Sequence, residues 1–175
     1  MTVRWQRGFS LLEVLIATTL VASALIGLGQ LVALAIDANR HAQSATVATL
    51  LAQQKMEELR SFAWSIDALG VPATDSRLSP SPGNTLNENV EGFCDFADAS
   101  GRPLGEAPTM RAGAVYVRRW SIEPLPAFSG NVLAVQVLVT PRLGGHSQTG
   151  RARSRMPDEA HLIAIRRRAG LGIRN

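Results

Sequence analysis

The spacing of apolar residues changes along the chain, and each pattern predicts a different element. From Phe9 to Ile36 nearly every residue is apolar or small, and Glu13 is the only charged one. This run exceeds the roughly 20 residues that cross the hydrocarbon core of a bilayer, so it predicts a membrane-spanning helix. Residues 37–62 contain no Gly or Pro, and their apolar positions recur near the helical period. The same helix is therefore predicted to continue to Phe62 as an amphipathic helix.

The remainder of the chain predicts an antiparallel sheet. Residues 70–113 are repeatedly interrupted by Pro and Gly, which predicts a long surface loop with one short strand within 89–97. Three segments rich in β-branched and aromatic residues follow, and they predict strands at 114–123, 132–140 and 160–167. Short links favour antiparallel pairing. The predicted fold class is α+β, with a long N-terminal helix whose amphipathic part covers one face of a small antiparallel sheet.

Composition limits the size and chemistry of the domain. The 175 residues suffice for an anchor and one small domain, since residues 37–175 must supply the core. Its bulky contributors are expected to be Trp64, Trp120, Phe93, Phe96 and Phe128. Cys94 is the only cysteine, which excludes an internal disulfide and a cysteine-based zinc site. We interpret it as a small, partly buried thiol, with an intermolecular disulfide as the alternative.

Charge is distributed unevenly along the chain. The net charge is +4 at pH 7, yet residues 9–110 hold five basic and eleven acidic residues, whereas residues 111–175 hold eleven basic and three acidic. A basic C-terminal half suits a nucleic acid or an anionic membrane surface as partner. The alternatives are a solvated, arginine-rich face and contacts between acidic and basic halves of neighbouring subunits.

The start of the chain predicts topology and processing. Arg4 and Arg7 precede the apolar run, so the leader is expected to stay in the cytoplasm while the bulk is exported. A secretory signal peptide starts similarly, but its apolar core of roughly 7–15 residues is shorter than this run. A plain anchor leaves Glu13 unexplained, because an acid in the membrane costs roughly 2.5–3.5 kcal/mol and usually has a partner. If the bond between Gly8 and Phe9 is cut, a new ammonium group forms on Phe9, and a neighbouring copy could present that group to Glu13.

Residues 8–17, with the sequence GFSLLEVLIA, resemble the processing site of type IV prepilins and type II secretion pseudopilins. The resemblance is specific over residues 4–36 and supportive to about residue 60. It implies that a membrane-embedded aspartic peptidase cuts after Gly8 and methylates the amine of Phe9. It further implies that Glu13 recruits the subunit to the growing fibre. The implied partners are the prepilin peptidase, other pilin or pseudopilin subunits and inner-membrane lipid, and no cofactor is implied.

Two stretches, FSLLEVLIA and ATLLAQQKMEELRS, look most similar to the pilus-modification (PilV-like) minor pilins and the type II secretion minor pseudopilin I. The resemblance implies leader 1–8, transmembrane helix 9–36 and periplasmic domain 37–175. It implies a single-pass protein of the bacterial inner membrane, N-in and C-out, that later joins a priming or tip complex of the filament. Alternatives are an adhesin at the tip and a static membrane-anchored periplasmic domain. Many major pilins carry a proline where this chain has Gln30. Gly27 and Gly29 either supply flexibility on assembly or allow close helix packing.

Catalytic and metal-binding motifs are sparse. His41, His146 and His161 lie far apart without metal-ligand spacing, and Asp158 with Glu159 is interpreted as a solvated turn. No nucleophile motif or phosphate loop occurs. We therefore expect no catalytic residue and no metal site, and expect the chain to be a substrate of the peptidase and not an enzyme.

A nucleic-acid or partner patch is the remaining candidate site. Six arginines at the C-terminal end would neutralise phosphates in a salt-sensitive, sequence-independent manner. They are Arg151, Arg153, Arg155, Arg166, Arg167 and Arg168. Binding to single-stranded nucleic acid would require aromatic residues on which the bases stack, and none are interleaved with these arginines.

Overall fold

The fold was analysed in a computed structural model, which describes residues 10–67, 69–128, 131–142 and 158–168. The chain divides into two compact units, Met1–Arg40 and His41–Asn175. They are described separately below.

One helix, α1, extends over Leu11–Ser61 and so belongs to both units. It agrees with the helix predicted for 9–62 and continues through Gly27 and Gly29. In the first unit its side chains are exposed all round. In the second unit one face is buried, and that face consists of Ala48, Leu51, Ala52, Lys55, Met56 and Leu59. The change from uniform exposure to one buried face follows the change in apolar spacing at about residue 37.

In the described part of the second unit, seven strands follow the helix. A two-stranded antiparallel sheet comprises β1 (Trp64–Ile66) and β2 (Pro72–Thr74). The strands of a larger antiparallel sheet are β3 (Cys94–Ala97), β4 (Pro103–Glu106), β5 (Tyr116–Pro124), β6 (Val132–Pro141) and β7 (Ala160–Arg167). Their order across this five-stranded sheet is β4-β3-β5-β6-β7. Single 3-10 turns occur at Ser76–Leu78 and Pro126–Phe128. The α+β fold class and the three predicted strands of the C-terminal half are confirmed.

The main core lies between the buried face of α1 and one face of the larger sheet. Trp120 and Ile122 of β5 face this core together with four alternate residues of β6, and Trp64 of β1 is also buried in it. The residues from β6 are Leu133, Val135, Val137 and Val139. A smaller cluster of Phe96, Ala114 and Val117 lies on the opposite face. Of the expected bulky core residues, Trp64, Trp120 and Phe96 are buried and Phe93 is partly buried; the side chain of Phe128 lies outside the described part.

The segment 70–113 contains more structure than the predicted loop. The short strand within 89–97 is present as β3, but β2 and β4 also form there, and β1 precedes them. Both unpredicted strands of the segment begin with a proline, Pro72 in β2 and Pro103 in β4. Proline is tolerated at the first residue of a strand and at a sheet edge, where its missing N–H breaks no ladder. The composition that indicated a loop therefore also suits short edge strands.

Candidate functional site

Glu13 lies in the first turn of α1, and its side chain is exposed. Within the described part of the chain its carboxylate makes no ion pair or hydrogen bond. The surrounding helix is the one described helix long and apolar enough to cross a membrane, with an 18-residue window of mean hydropathy 2.2 of which none is buried. Glu13 is therefore the only acid on an otherwise apolar surface between residues 10 and 36. An acid that is taken out of water into a membrane usually has a partner.

The hydroxyl groups of Thr18, Thr19 and Ser23, in the apolar part of the same helix, are already hydrogen-bonded. Thr18 donates to the Leu15 carbonyl at 3.0 Å, and Thr19 donates to the Ile16 carbonyl at 2.8 Å. Ser23 donates to the Leu20 carbonyl at 2.9 Å. Hydroxyls bonded to their own helix need no water, so this surface suits a hydrocarbon environment. Glu13 differs from them because no described group satisfies it.

Five of the nine candidate site residues predicted from the sequence lie outside the described part. They are Gly8, Phe9, Arg151, Arg153 and Arg155, and Arg4, Arg7 and His146 lie outside it as well. The processing site and half of the arginine patch thus stay predictions. Glu13 and three arginines of β7 and its C-terminal end are placed by the structure.

Arg166 caps the end of α1. Its two terminal nitrogens donate to the carbonyls of Leu59 at 2.8 Å and Phe62 at 3.0 Å. The last four carbonyls of a helix lack partners within the helix, and a cationic donor there also interacts favourably with the helix dipole. Partial burial lowers the pKa of the Arg166 guanidinium, and the nearby charge of Arg60 lowers it further. Arg166 is therefore a structural residue of the domain.

Arg168 links the two strands of the small sheet. Its guanidinium donates to the Ser65 carbonyl at 3.3 Å and to the Thr74 hydroxyl at 3.0 Å, which joins β1 to β2. The guanidinium carbon lies 3.6 Å from the centre of the Trp64 ring, in a cation–π contact. Among the three described arginines of the predicted patch, Arg167 alone is exposed. Two of the six arginines invoked for nucleic-acid binding are thus engaged by the chain itself.

Replacing Arg166 by Ala will lower the free energy of unfolding by about 1–3 kcal/mol, because two partly buried carbonyls at the helix end lose a charged donor. Denaturant titration of the full chain in detergent, followed by tryptophan fluorescence, measures this change. Arg142→Ala is the matched control, since the Arg142 side chain is exposed. We expect the control to change stability by no more than about 0.5 kcal/mol. Equal effects of the two variants would contradict the capping role.

Asp158 is buried, so its interpretation as part of a solvated turn is wrong. Only 2% of the residue is exposed, and its two carboxylate oxygens lie 2.8 and 3.0 Å from Nδ1 of His41. The two residues stand 117 positions apart, and their contact joins α1 to the start of β7. Glu159, the next residue, is partly exposed. The acidic pair therefore divides into one structural carboxylate and one that is accessible.

A buried charge cluster joins α1 to β3 and β5. Arg118 binds Asp95 through two parallel hydrogen bonds of 2.8 and 2.7 Å, and it donates to the Leu51 carbonyl at 3.1 Å. The ammonium of Lys55 lies 3.8 Å from Asp95 and 3.9 Å from the centre of the Trp120 ring. Lys55, Asp95 and Arg118 are each at most 6% exposed. Paired burial of this kind positions the helix on the sheet, and sequence patterns did not reveal it.

Cys94 is fully buried in β3. Its thiol donates to the Ala107 carbonyl, with a sulfur-to-oxygen distance of 3.0 Å, and burial raises the pKa of the thiol. A raised pKa reduces the reactive thiolate. This environment agrees with the structural interpretation of Cys94. It does not suit the alternative, an intermolecular disulfide, because the sulfur has no access to another chain.

Cys94 will react with a thiol reagent at least about a hundredfold more slowly in the native chain than in the unfolded chain, since both access and the thiolate fraction are reduced. With an aromatic disulfide as the thiol reagent, the absorbance of the aromatic thiol that it releases measures the rate of reaction. Thr109→Cys provides an exposed thiol in the same molecule as an internal reference. Native labelling of Cys94 as fast as that of the reference would contradict the burial.

Across the described ranges, no group of three or more His, Cys, Asp or Glu residues is placed to hold a metal ion. No family model matches the chain, and no curated protein or solved structure matches it.

Proposed function

We propose that the chain is a minor pilin or pseudopilin subunit, cleaved after Gly8, methylated on Phe9 and incorporated into a type IV filament. The observation that carries the proposal is Glu13, an exposed carboxylate without a described partner on a helix that is otherwise apolar. A membrane anchor alone has no use for such a charge. A subunit that must bind another subunit within the membrane can use this charge, because pairing with a positive group recovers the free energy that the unpaired acid costs.

The rest of the chain supports the same proposal. A helix whose first part is apolar all round suits lipid before assembly and a helical fibre core afterwards. Its second part belongs to an α+β domain with a packed core, which suits a folded head displayed on the fibre. The basic leader favours a cytoplasmic N-terminus and an exported domain. A pilus priming or tip complex is the proposed setting, and a type II secretion system is the alternative within the same class.

Replacing Gly8 by Val tests the processing step. We expect intact mass spectrometry of the wild-type protein from bacterial membranes to show the loss of residues 1–8 and the gain of one methyl group. The Gly8→Val chain will keep its leader and will be absent from sheared filaments, because the peptide bond is no longer cut.

Thr2→Val is the matched control, since it places the same side chain in the leader away from the bond. It will be processed like the wild type. A wild-type chain recovered at full length beside an active prepilin peptidase would overturn the proposal, and processing of Gly8→Val would overturn the assigned cleavage bond.

A further inference from the structure

We propose that β7 pairs with β7 of a second copy of this chain, antiparallel, around a two-fold axis at Ile163. This pairing does not depend on the proposed function. The two edge strands of the larger sheet are β4 and β7. β4 has four residues, begins with Pro103 and is paired with a register shift, all of which discourage the addition of a strand. β7 has eight residues and no proline, and within the described chain it pairs only with β6.

Two of the three exposed residues of β7 are apolar. Ile163 is 63% exposed and Ile165 is 69% exposed. Both lie on the sheet face opposite α1, next to Gln136 and Ala134 of β6. A long edge strand with exposed branched side chains is a template for pairing with another chain. Covering both isoleucines removes apolar surface from water in each copy.

The charges around Ile163 are self-complementary. Glu159, the residue before β7, lies four residues before Ile163, and Arg167 lies four residues after it. Strand alternation extended by one residue places all three on one face. When a strand pairs antiparallel with its own copy at Ile163, Glu159 of one copy faces Arg167 of the other, twice. Ile165 then faces His161 of the other copy. Among the described residues, neither Glu159 nor Arg167 has an ion-pair partner within the chain. Opposite charges in directly facing positions stabilise a strand pair.

This palindromic charge pattern favours a second copy over an unrelated strand. An incoming strand must present a base, a central apolar residue and an acid at the same spacing in the reverse direction. A second copy of this chain presents these three residues itself, as Arg167, Ile163 and Glu159. On the helix side, a groove of about 340 Å³ between α1 and β7 leaves room for the side chains of an added strand. It is lined by Gln53, Met56, Glu57, Arg60 and residues 162–165.

Cysteine cross-linking of the full chain in detergent tests the axis. In a Cys94→Ala background, Ile163→Cys places two thiols on the axis, where facing Cα atoms lie about 4.5–5.5 Å apart, within disulfide range. Ile165→Cys is the matched control, with the same residue type, strand, face and exposure. Its two copies would be separated by about 13 Å, because each is displaced by two residues from the axis.

We expect mild oxidation to convert Ile163→Cys to a disulfide dimer at least about tenfold faster than Ile165→Cys. Adding His161→Cys to Ile165→Cys will restore cross-linking, since those positions face each other. No dimer with any of the three variants would overturn the proposal. Cross-linking of Ile165→Cys alone would overturn the stated register, and a covalent product with a different protein would show that a heterologous strand occupies the edge.

A charge exchange keeps the test independent of cysteine placement. Glu159→Arg and Arg167→Glu will each weaken the dimer measured by analytical ultracentrifugation in detergent, because each places like charges in facing positions. The double variant will restore it, since the facing pairs are again opposite in sign. Failure of the double variant to recover above the single variants would contradict the pairing even if all three fold normally.

Discussion

Replacing Asp95 by Asn will lower the free energy of unfolding by about 3–5 kcal/mol, the cost of leaving a buried charge without its partner. The substitution keeps the shape of the side chain and removes its charge. Arg118 then loses both of its short contacts with a carboxylate, and Lys55 loses the more distant of its two carboxylate partners while keeping Glu58 at 3.0 Å. Denaturant titration followed by the fluorescence of the buried tryptophans measures the loss.

Glu57→Gln is the matched control for this prediction. It also breaks an ion pair, between Glu57 and Arg60, but both side chains are at least half exposed. Exposed pairs of this kind contribute no more than about 1 kcal/mol, so the control should be nearly as stable as the wild type. The double variant Asp95→Leu with Arg118→Leu will be less destabilised than Asp95→Asn, because no unpaired guanidinium stays buried against β3. An Asp95→Asn chain as stable as the control would contradict a role for this cluster in stability.

Replacing Glu13 by Leu will leave leader cleavage intact and reduce incorporation into the filament by roughly two orders of magnitude. An unpaired acid costs roughly 2.5–3.5 kcal/mol in the membrane, and pairing of Glu13 on assembly recovers this free energy. The leucine variant has no such gain on assembly, and a loss of this size corresponds to roughly two orders of magnitude in an equilibrium constant. The ratio of this subunit in sheared filaments to that in membranes measures the effect. Mass spectrometry of the membrane fraction confirms that cleavage still occurs.

Two variants separate charge from side-chain shape. Glu13→Gln keeps nearly the same shape without the charge, and we expect it to fail like the leucine variant. Glu13→Asp keeps the charge on a shorter side chain and should retain measurable incorporation. Normal incorporation of Glu13→Leu would contradict the charge-pair hypothesis while leaving the processing hypothesis intact.

The sequence predicted the long elements well because their patterns are physically strong. The α1 helix has few breakers over fifty residues, and its apolar spacing marks where one face becomes buried. β5, β6 and β7 have eight or more residues with β-branched enrichment, enough for the pattern to be recognised. β1, β2 and β4 have only three or four residues, too few for alternation to appear, and two of them contain proline. Their formation is decided by neighbouring strands.

The contacts between charged side chains were not predictable for a different reason. Asp95 meets Arg118 only because β3 and β5 pair in one particular register. Asp158 follows a stretch rich in polar residues, and only the fold brings it against His41. Arg166 and Arg168 form a basic run with Arg167 in sequence, yet alternation along the strand places the Arg167 side chain on the opposite face from the other two. Composition gave the charges, and tertiary structure decided which ones face solvent.

The capping of α1 by Arg166 has a consequence for the order of folding during synthesis. Leu59 lies 107 residues before Arg166, so the end of the helix leaves the ribosome long before its cap does. Until β7 has been synthesised, the carbonyls of Leu59 and Phe62 lack their guanidinium donor, and the larger sheet lacks its edge strand β7. The domain therefore completes its folding only after nearly the whole chain has been made. A chain stalled shortly before residue 160 would expose its apolar core to proteases, and quality control can recognise it on that basis.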